Sequence, residues 1–229
     1  WIYQCKLMTF ICLFKRPPAK RVCLDWLAAI ADHDEDTAAP LARELAGQPD
    51  DPLHVADMLL HIADRPLSNL EINKLLFFAS GASLALTGAP LVDCDFEAWD
   101  YGPVLRKVYA SFKRKSDDNK HRFGSPGLDS VSVSQRTVVC LKLAWLAFGH
   151  LSPLEMTRIT HQPSAPWTKC VIPKFDKTGK RNHPAIIPAS LIREYYTQDV
   201  AMVTWLQCLA EHHQELAATM FQRVNTKIS

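Results

Sequence analysis

The chain has 229 residues, of which 48% are hydrophobic and 22% charged, and its formal net charge is +2. This length is enough for one substantial domain or two small ones, and the composition is that of an ordinary globular protein. The small net charge does not indicate an obligate binder of nucleic acid or membrane, although it leaves room for a locally basic surface.

The seven cysteines are odd in number and widely spread, and no C-x-x-C motif occurs among them. This spacing excludes a zinc ribbon and a thioredoxin-type motif. Scattered cysteines without short spacings are typical of a reduced, cytoplasmic protein, so we expect no disulfide scaffold.

The first fifty residues contain one apolar run, Leu7–Phe14, between Lys6 and Lys15-Arg16. Eight residues fall far short of the roughly 20 that a membrane helix needs. The basic RPPAKR segment follows where a signal peptide would have a cleavage site of small residues. We therefore expect residues 1–52 to be an N-terminal extension, poorly ordered or partly helical.

Helical patterns dominate the next part of the chain. Residues 53–64 repeat apolar side chains at a helical period. Ser68-Asn69-Leu70-Glu71 is a capping box, and the helix that it opens should end at Gly88. The apolar density of this helix predicts burial on more than one side, as in a central core helix.

The segment FEAWDYGPV, residues 96–104, predicts a corner. Residues 95–99 are expected to form a short strand, the chain turns at Asp100-Tyr101-Gly102, and Pro103 is expected to start the next helix. Of the two aromatic residues Trp99 and Tyr101, one is expected to face the core and the other the surface.

Further helices are predicted over about residues 134–148, from a second capping box at Ser152–Glu155, and over about 198–222. A second strand candidate covers residues 183–187. The fold class is therefore mainly α: a compact helical domain with one small two-stranded β element, an N-terminal extension and a long C-terminal helix.

His54, Asp57, His61 and Asp64 follow one another along the first helix at spacings that could converge on a metal ion. The alternative is the polar face that any amphipathic helix presents to solvent, and the apolar residues on the opposite face favour it. We expect no metal site.

His161 follows the second capping-box helix and titrates near neutrality, but no nucleophile with catalytic context accompanies it. A helix cap followed by a Pro166-Trp167 corner is the favoured interpretation. The glycines form no phosphate-binding loop. We expect neither catalysis nor a cofactor.

Residues 106–122 contain seven basic side chains, interleaved with Tyr109 and Phe112. Such a cluster could bind nucleic acid, which makes a nucleic-acid-binding regulator the alternative function. The cations also suit the end of a helix whose inward face carries the two aromatics, and an acidic protein surface would be an equally suitable partner. The basic residues are Arg106, Lys107, Lys113, Arg114, Lys115, Lys120 and Arg122.

Three segments together resemble the Panacea domain, the family typified by SocA antitoxins. They are LSNLEINKLLFFASGASLALTGAPL (67–91), FEAWDYGPVLRKVYASFK (96–113) and LSPLEMTRITHQPSAPW (151–167). The family shows a lysine-bearing leucine and aromatic helix, an E-x-W-x-Y-G-P-V segment, and then a Thr-His and a Pro-Trp pair. The resemblance covers about residues 53–197.

The resemblance implies a bacterial or phage-borne cytoplasmic antitoxin without a cofactor. Such a protein binds and neutralises a cognate toxin protein, and in the SocA type it is an adaptor that hands the toxin to the ClpXP protease. The expected partner-binding residues are Trp99, Asp100, Tyr101, Arg106, Lys107, Lys113, Arg114, His161 and Trp167.

The resemblance does not explain the two ends of the chain. We expect three parts: the extension 1–52, the Panacea domain 53–197 and the C-terminal helix 198–229. That helix would either lie in a groove of the partner or pack on its own domain, because its apolar side needs some surface to cover it.

Overall fold

The computed structural model describes residues 47–63, 65–115, 122–124, 131–173, 177 and 182–197. The predicted helix 198–222 and most of the predicted extension 1–52 lie outside these residues. Helices in the described part are α1 Pro52–Ile62, α2 Asn69–Thr87, α3 Arg106–Lys115, α4 Gln135–Phe148, α5 Pro153–Thr160, α6 Pro166–Cys170 and α7 Ala189–Tyr196. The strands are β1 Leu67–Ser68, β2 Phe96–Trp99, β3 Gly102–Val104, β4 Arg122–Phe123 and β5 Ile186–Ile187. The prediction of a mainly α protein is confirmed.

The core is built around α2, as the sequence predicted. Its capping box is formed, with Ser68 accepting from the Glu71 N–H and Glu71 accepting from the Ser68 N–H. The helix ends at Gly88, which has a φ of 70° and donates its N–H to the Leu84 carbonyl. Helices α1, α3, α4, α5 and α7 all pack against α2. Because α2 is packed against these five helices, its side chains are held in defined positions.

The β structure forms two small antiparallel sheets. β1 pairs with β4, and the second sheet has the strand order β3-β2-β5. In β2, Phe96 and Ala98 are buried while Glu97 and Trp99 are half-buried, which is the alternation that the sequence predicted. The sequence predicted one two-stranded element, and the additional strands are only two or three residues long.

The predicted helix start at Pro103 is wrong, because Pro103 lies in β3 and α3 begins at Arg106. Pro103 stands opposite Ala98 in the hairpin, and the Ala98 N–H donates to Ala185 on the other side of β2. Proline therefore occupies a pairing position at which its missing N–H costs no ladder bond. The pairing of β3 with β2 therefore determines the conformation at Pro103, in spite of the preference of proline for the first position of a helix.

The β1–β4 ladder places Arg122 beside the buried carboxylate of Glu71, which is 1% exposed. Arg122 and Arg65 approach this carboxylate at 3.0 Å and 2.8 Å. Burial alone would raise the pKa of Glu71, but the hydrogen bonds from Ser68 and the contact with Arg65 outweigh it and lower the pKa. Arg122, one of the seven basic residues of the 106–122 stretch, therefore has a structural role.

Within the described residues, no cluster of three His, Cys, Asp or Glu side chains is arranged to hold a metal ion. On α1, His54 and Asp57 are half-buried and His61 is exposed, while Asp64 lies outside the description. Among the described residues, Cys94, Cys140 and Cys170 are not in disulfide bonds. No described helix is by itself long and apolar enough to cross a membrane; α4 and α5 meet that test only jointly, across a bend of 108°.

Candidate partner-binding site

The hairpin between β2 and β3 turns at Asp100 and Tyr101, in the middle of the FEAWDYGPV segment. Trp99 and Gly102 are the last paired residues on either side of the turn. Gly102 has a φ of 107°, a conformation that side chains with a Cβ rarely adopt. The turn leaves Tyr101 73% exposed, which confirms the surface position predicted for one of the two aromatics. Trp99 is half-buried and lies outside the hydrophobic core, so the predicted core position is not found.

The backbone of this turn lies against side chains from three different parts of the fold. Trp167 of α6 donates its indole N–H to the Trp99 carbonyl at 2.7 Å. Lys74 of α2 donates to the Tyr101 carbonyl. The His161 ring lies near the backbone of Asp100, which acts to raise the pKa of His161. We call Lys74, His161 and Trp167 the carbonyl clamp.

Lys74 is the most unusual member of the clamp, because its side chain is fully buried. No carboxylate pairs with it among the described residues, and burial lowers the pKa of its amine to about 7. A Cβ on Gly102 would collide with the Lys74 amine and lie 3.0 Å from the Thr160 hydroxyl. Glycine at position 102 therefore provides both the positive φ and the space for the lysine.

His161 is the C-cap residue of α5, as the sequence predicted. Its Nδ1 lies 2.6 Å from the Thr157 carbonyl, to which it must donate because a carbonyl only accepts. Its ring centroid is 3.6 Å from that of Trp167. Burial lowers the pKa of His161, the Thr157 carbonyl opposes this effect, and the nearby Lys74 lowers the pKa further. The amine of Lys74 thus disfavours protonation of His161.

The Trp99 ring is held on its other sides by polar and aromatic contacts. Its indole N–H donates to Glu97 at 2.8 Å, and its ring centroid is 4.8 Å from that of Tyr109. The Arg106 guanidinium lies 5.4 Å from the Trp99 ring and forms two hydrogen bonds with Glu97, of 2.7 Å and 2.6 Å. These contacts give the turn a rigid aromatic flank.

An open groove of about 480 Å³ lies beside the turn, between the beginning of α2, the β2–β3 hairpin and the residues on either side of the 174–181 segment. Its lining is largely aromatic and apolar and includes three asparagines, Asn69, Asn73 and Asn182. Ile172 on its rim is 44% exposed. The lining residues include Asn69, Asn73, Trp99, Asp100, Tyr101, Tyr109, Ile172, Pro173, His183 and Pro184.

The basic side chains of the 106–122 stretch are largely engaged within the described fold. Arg106 pairs with Glu97, and Lys107 pairs with Asp51 at 2.5 Å. The amine of Lys113 lies 5.9 Å from the centroid of the Tyr109 ring. Arg114 and Lys115 end α3, but their side chains are outside the description, as is Lys120. The described surface is less basic than the sequence of this stretch indicates.

Of the predicted partner-binding residues, the structure gathers six at the turn: Trp99, Asp100 and Tyr101, with His161, Trp167 and Arg106 against them. Lys107 and Lys113 lie further along α3. Lys74 was missed as a site residue, although a lysine inside the apolar run NKLLFFAS was the available signal. A charged residue in a fully buried stretch indicates a specific polar contact.

Comparison with known proteins places the residues of this site in a family. The profile of the family described as "Antitoxin SocA-like, Panacea domain" matches residues 72–168, which contain Lys74, the FEAWDYGPV turn, His161 and Trp167. Residues 72–168 form a SocA-like Panacea domain. Its lysine helix, its W-x-Y-G-P segment, its Thr-His pair and its Pro-Trp pair are distant in sequence and meet at one turn.

A relative of the Panacea domain is the antitoxin SocA of Caulobacter vibrioides (strain NA1000 / CB15N). It is 33% identical over 129 residues, which are 49% of this chain and 66% of SocA. The match thus spans slightly less than two thirds of the relative's length. No solved structure matches the chain.

Proposed function

We propose that this chain is an antitoxin that binds a cognate protein toxin in the cytoplasm and neutralises it without catalysis. The observation that carries the proposal is the meeting of all the Panacea motif segments at one turn, which exposes Tyr101 at its tip. The similarity to SocA supports an antitoxin role, because SocA is itself an antitoxin.

The proposed toxin-binding surface is the turn together with the adjacent groove, which we call the Tyr101 face. Tyr101 and Ile172 supply exposed apolar area, and the fixed ring of Trp99 lies between the turn and α3. Large aromatic side chains on a rigid backbone are frequent anchors of protein interfaces. Arg106 and Lys113, which lie against the rings of Trp99 and Tyr109, would form a basic edge of this face, where an acidic part of the toxin would be accommodated.

Co-expression with the adjacent gene tests the proposal. We expect that gene to arrest growth when induced alone and the full chain to restore growth when both are induced. A control with the same vector expressing the Gly102→Ala variant separates neutralisation from the burden of expression. A neighbouring gene that is harmless alone, or that stays lethal beside this chain, would contradict the proposal.

We further propose delivery of the toxin to ClpXP, as in the SocA type. In cells that contain ClpXP, the lifetime of the toxin should lengthen when this chain is deleted, and it should be unaffected by the chain in cells without the protease. A pulse-chase of the tagged toxin measures this directly. An unchanged lifetime would leave neutralisation by blocking alone.

A further inference from the structure

The carbonyl clamp carries more polar contact than a hairpin turn of two residues needs. The exposed Asp100-Tyr101 turn could satisfy its carbonyls with water, yet the Trp99 and Tyr101 carbonyls accept hydrogen bonds from Trp167 and Lys74. The His161 ring lies near the Asp100 backbone between them. Burying a lysine without a paired carboxylate disfavours the folded state, so this arrangement is unfavourable as a means of stabilisation alone.

We propose that Lys74, His161 and Trp167 are positioning residues that hold the turn in one backbone conformation, so that Tyr101 meets the toxin without first being ordered. The proposal rests on the proposed function. Fixing a contact residue before binding reduces the entropy that association loses, which raises affinity without adding a contact. The clamp residues thus act through Tyr101 and touch no toxin atom.

Three features of the geometry support this assignment. The two donors to the turn, Lys74 and Trp167, come from α2 and α6, so rotation of the turn would break hydrogen bonds to two different helices. The ring of His161 packs against Trp167 at 3.6 Å, which orients both. Gly102 lacks the Cβ that would displace the Lys74 amine. The clamp is therefore closed around one arrangement of the turn.

A double-mutant cycle tests the proposal with the full chain and the product of the adjacent gene. Trp167→Phe keeps an aromatic ring beside His161 but removes the indole N–H, and Lys74→Met removes the amine at similar length. Loss of one donor should weaken binding by about 3- to 10-fold. In a Tyr101→Ala background the same changes should alter affinity less than about twofold, because their target is gone.

Equal losses with and without Tyr101 would overturn the proposal, as would unchanged affinity in both clamp variants. Trp145→Phe is the matched control, because Trp145 lies on α4 and contacts Arg65 rather than the turn. If the wild-type chain does not bind the product of the adjacent gene at all, the proposed function fails. The effect of the clamp on the turn must then be measured without a partner.

Fluorine NMR of the isolated chain provides that readout. With 3-fluorotyrosine at the five tyrosines, the Tyr101 resonance is assigned by its loss in Tyr101→Phe. We expect one narrow resonance in the wild type and in Trp145→Phe, and a broadened or multiple resonance in Trp167→Phe and Lys74→Met. An identical Tyr101 resonance in all four proteins would show that the clamp does not position the turn.

Discussion

Lys74 shows how a single side chain connects the core to the surface. It lies in the most enclosed helix of the described fold, and its amine ends at the backbone of the most exposed aromatic residue. Helical periodicity alone would place a lysine at the protein surface. The hydrogen bond to the Tyr101 carbonyl instead requires it to be inside, at an electrostatic cost that burial imposes on any charged amine.

This burial predicts a pH-dependent stability. The pKa of Lys74 is about 7 in the folded chain and should be near 10.4 in the unfolded chain. Between these values the unfolded state binds more protons, so the free energy of unfolding should rise with pH, by at most about 1.4 kcal/mol per pH unit. Lys74→Met should remove this rise, because methionine does not titrate.

Urea unfolding of both proteins at several pH values between 7 and 10 checks this expectation. The stability advantage of Lys74→Met over wild type should be largest near pH 7 and shrink as pH rises. His161 faces the same amine, but it is present in both proteins and its titration enters only through its coupling to Lys74. Lys113→Met, at a surface lysine, should show no such trend. A constant difference for Lys74→Met would contradict the buried, shifted amine.

Gly102 gives a second prediction at the residue scale. Gly102→Ala should destabilise the chain by about 2 kcal/mol or more, because alanine at a φ of 107° is strained and its Cβ would collide with the Lys74 amine. Thermal and urea unfolding measure the loss. Gly47→Ala is the control, since nothing lies within 4 Å of its added Cβ and its stability should stay within about 0.5 kcal/mol of wild type.

Among the secondary-structure elements, those that depend on local chemistry were predictable. Both capping boxes and the glycine end of α2 are formed as expected, because each needs only residues that are three or four positions apart. The start of α3 was not predictable in this way. The local sequence around Pro103 is compatible with either a helix start or a strand. The pairing of β3 with β2 decides between the two.

The two capping boxes make a matched prediction, because they share one chemistry and differ in burial. Ser68→Ala should cost about 1–2 kcal/mol, since it removes a cap and a hydrogen bond to the buried Glu71 carboxylate. Ser152→Ala should lower the free energy of unfolding by less, because the Glu155 carboxylate is exposed and water can replace the lost hydrogen bond. Chemical unfolding of the two variants compares them. An equal loss would show that burial of Glu71 adds nothing to the cap.

At the scale of the whole molecule, the sequence indicates the Panacea segments but not their meeting point. Trp99, Asp100, Tyr101, His161 and Trp167 were expected to bind a partner, and that role stays a prediction. Their convergence depends on how α5 and α6 pack across the hairpin, which is tertiary information that no spacing in the sequence contains. Lys74 escaped prediction for the same reason, because its partner is a backbone carbonyl 27 residues away.

In the proposed function, the Panacea segments converge so that Tyr101 contacts the toxin. The affinity of the adjacent gene product for wild type, Tyr101→Ala and Leu154→Ala, measured by titration calorimetry, tests it most directly. Leu154 is also an exposed apolar residue, at 60%, but it does not line the groove. We predict that Tyr101→Ala weakens binding by about tenfold or more, whereas Leu154→Ala stays within about twofold of wild type. Wild-type affinity in Tyr101→Ala would show that Tyr101 is not a toxin contact.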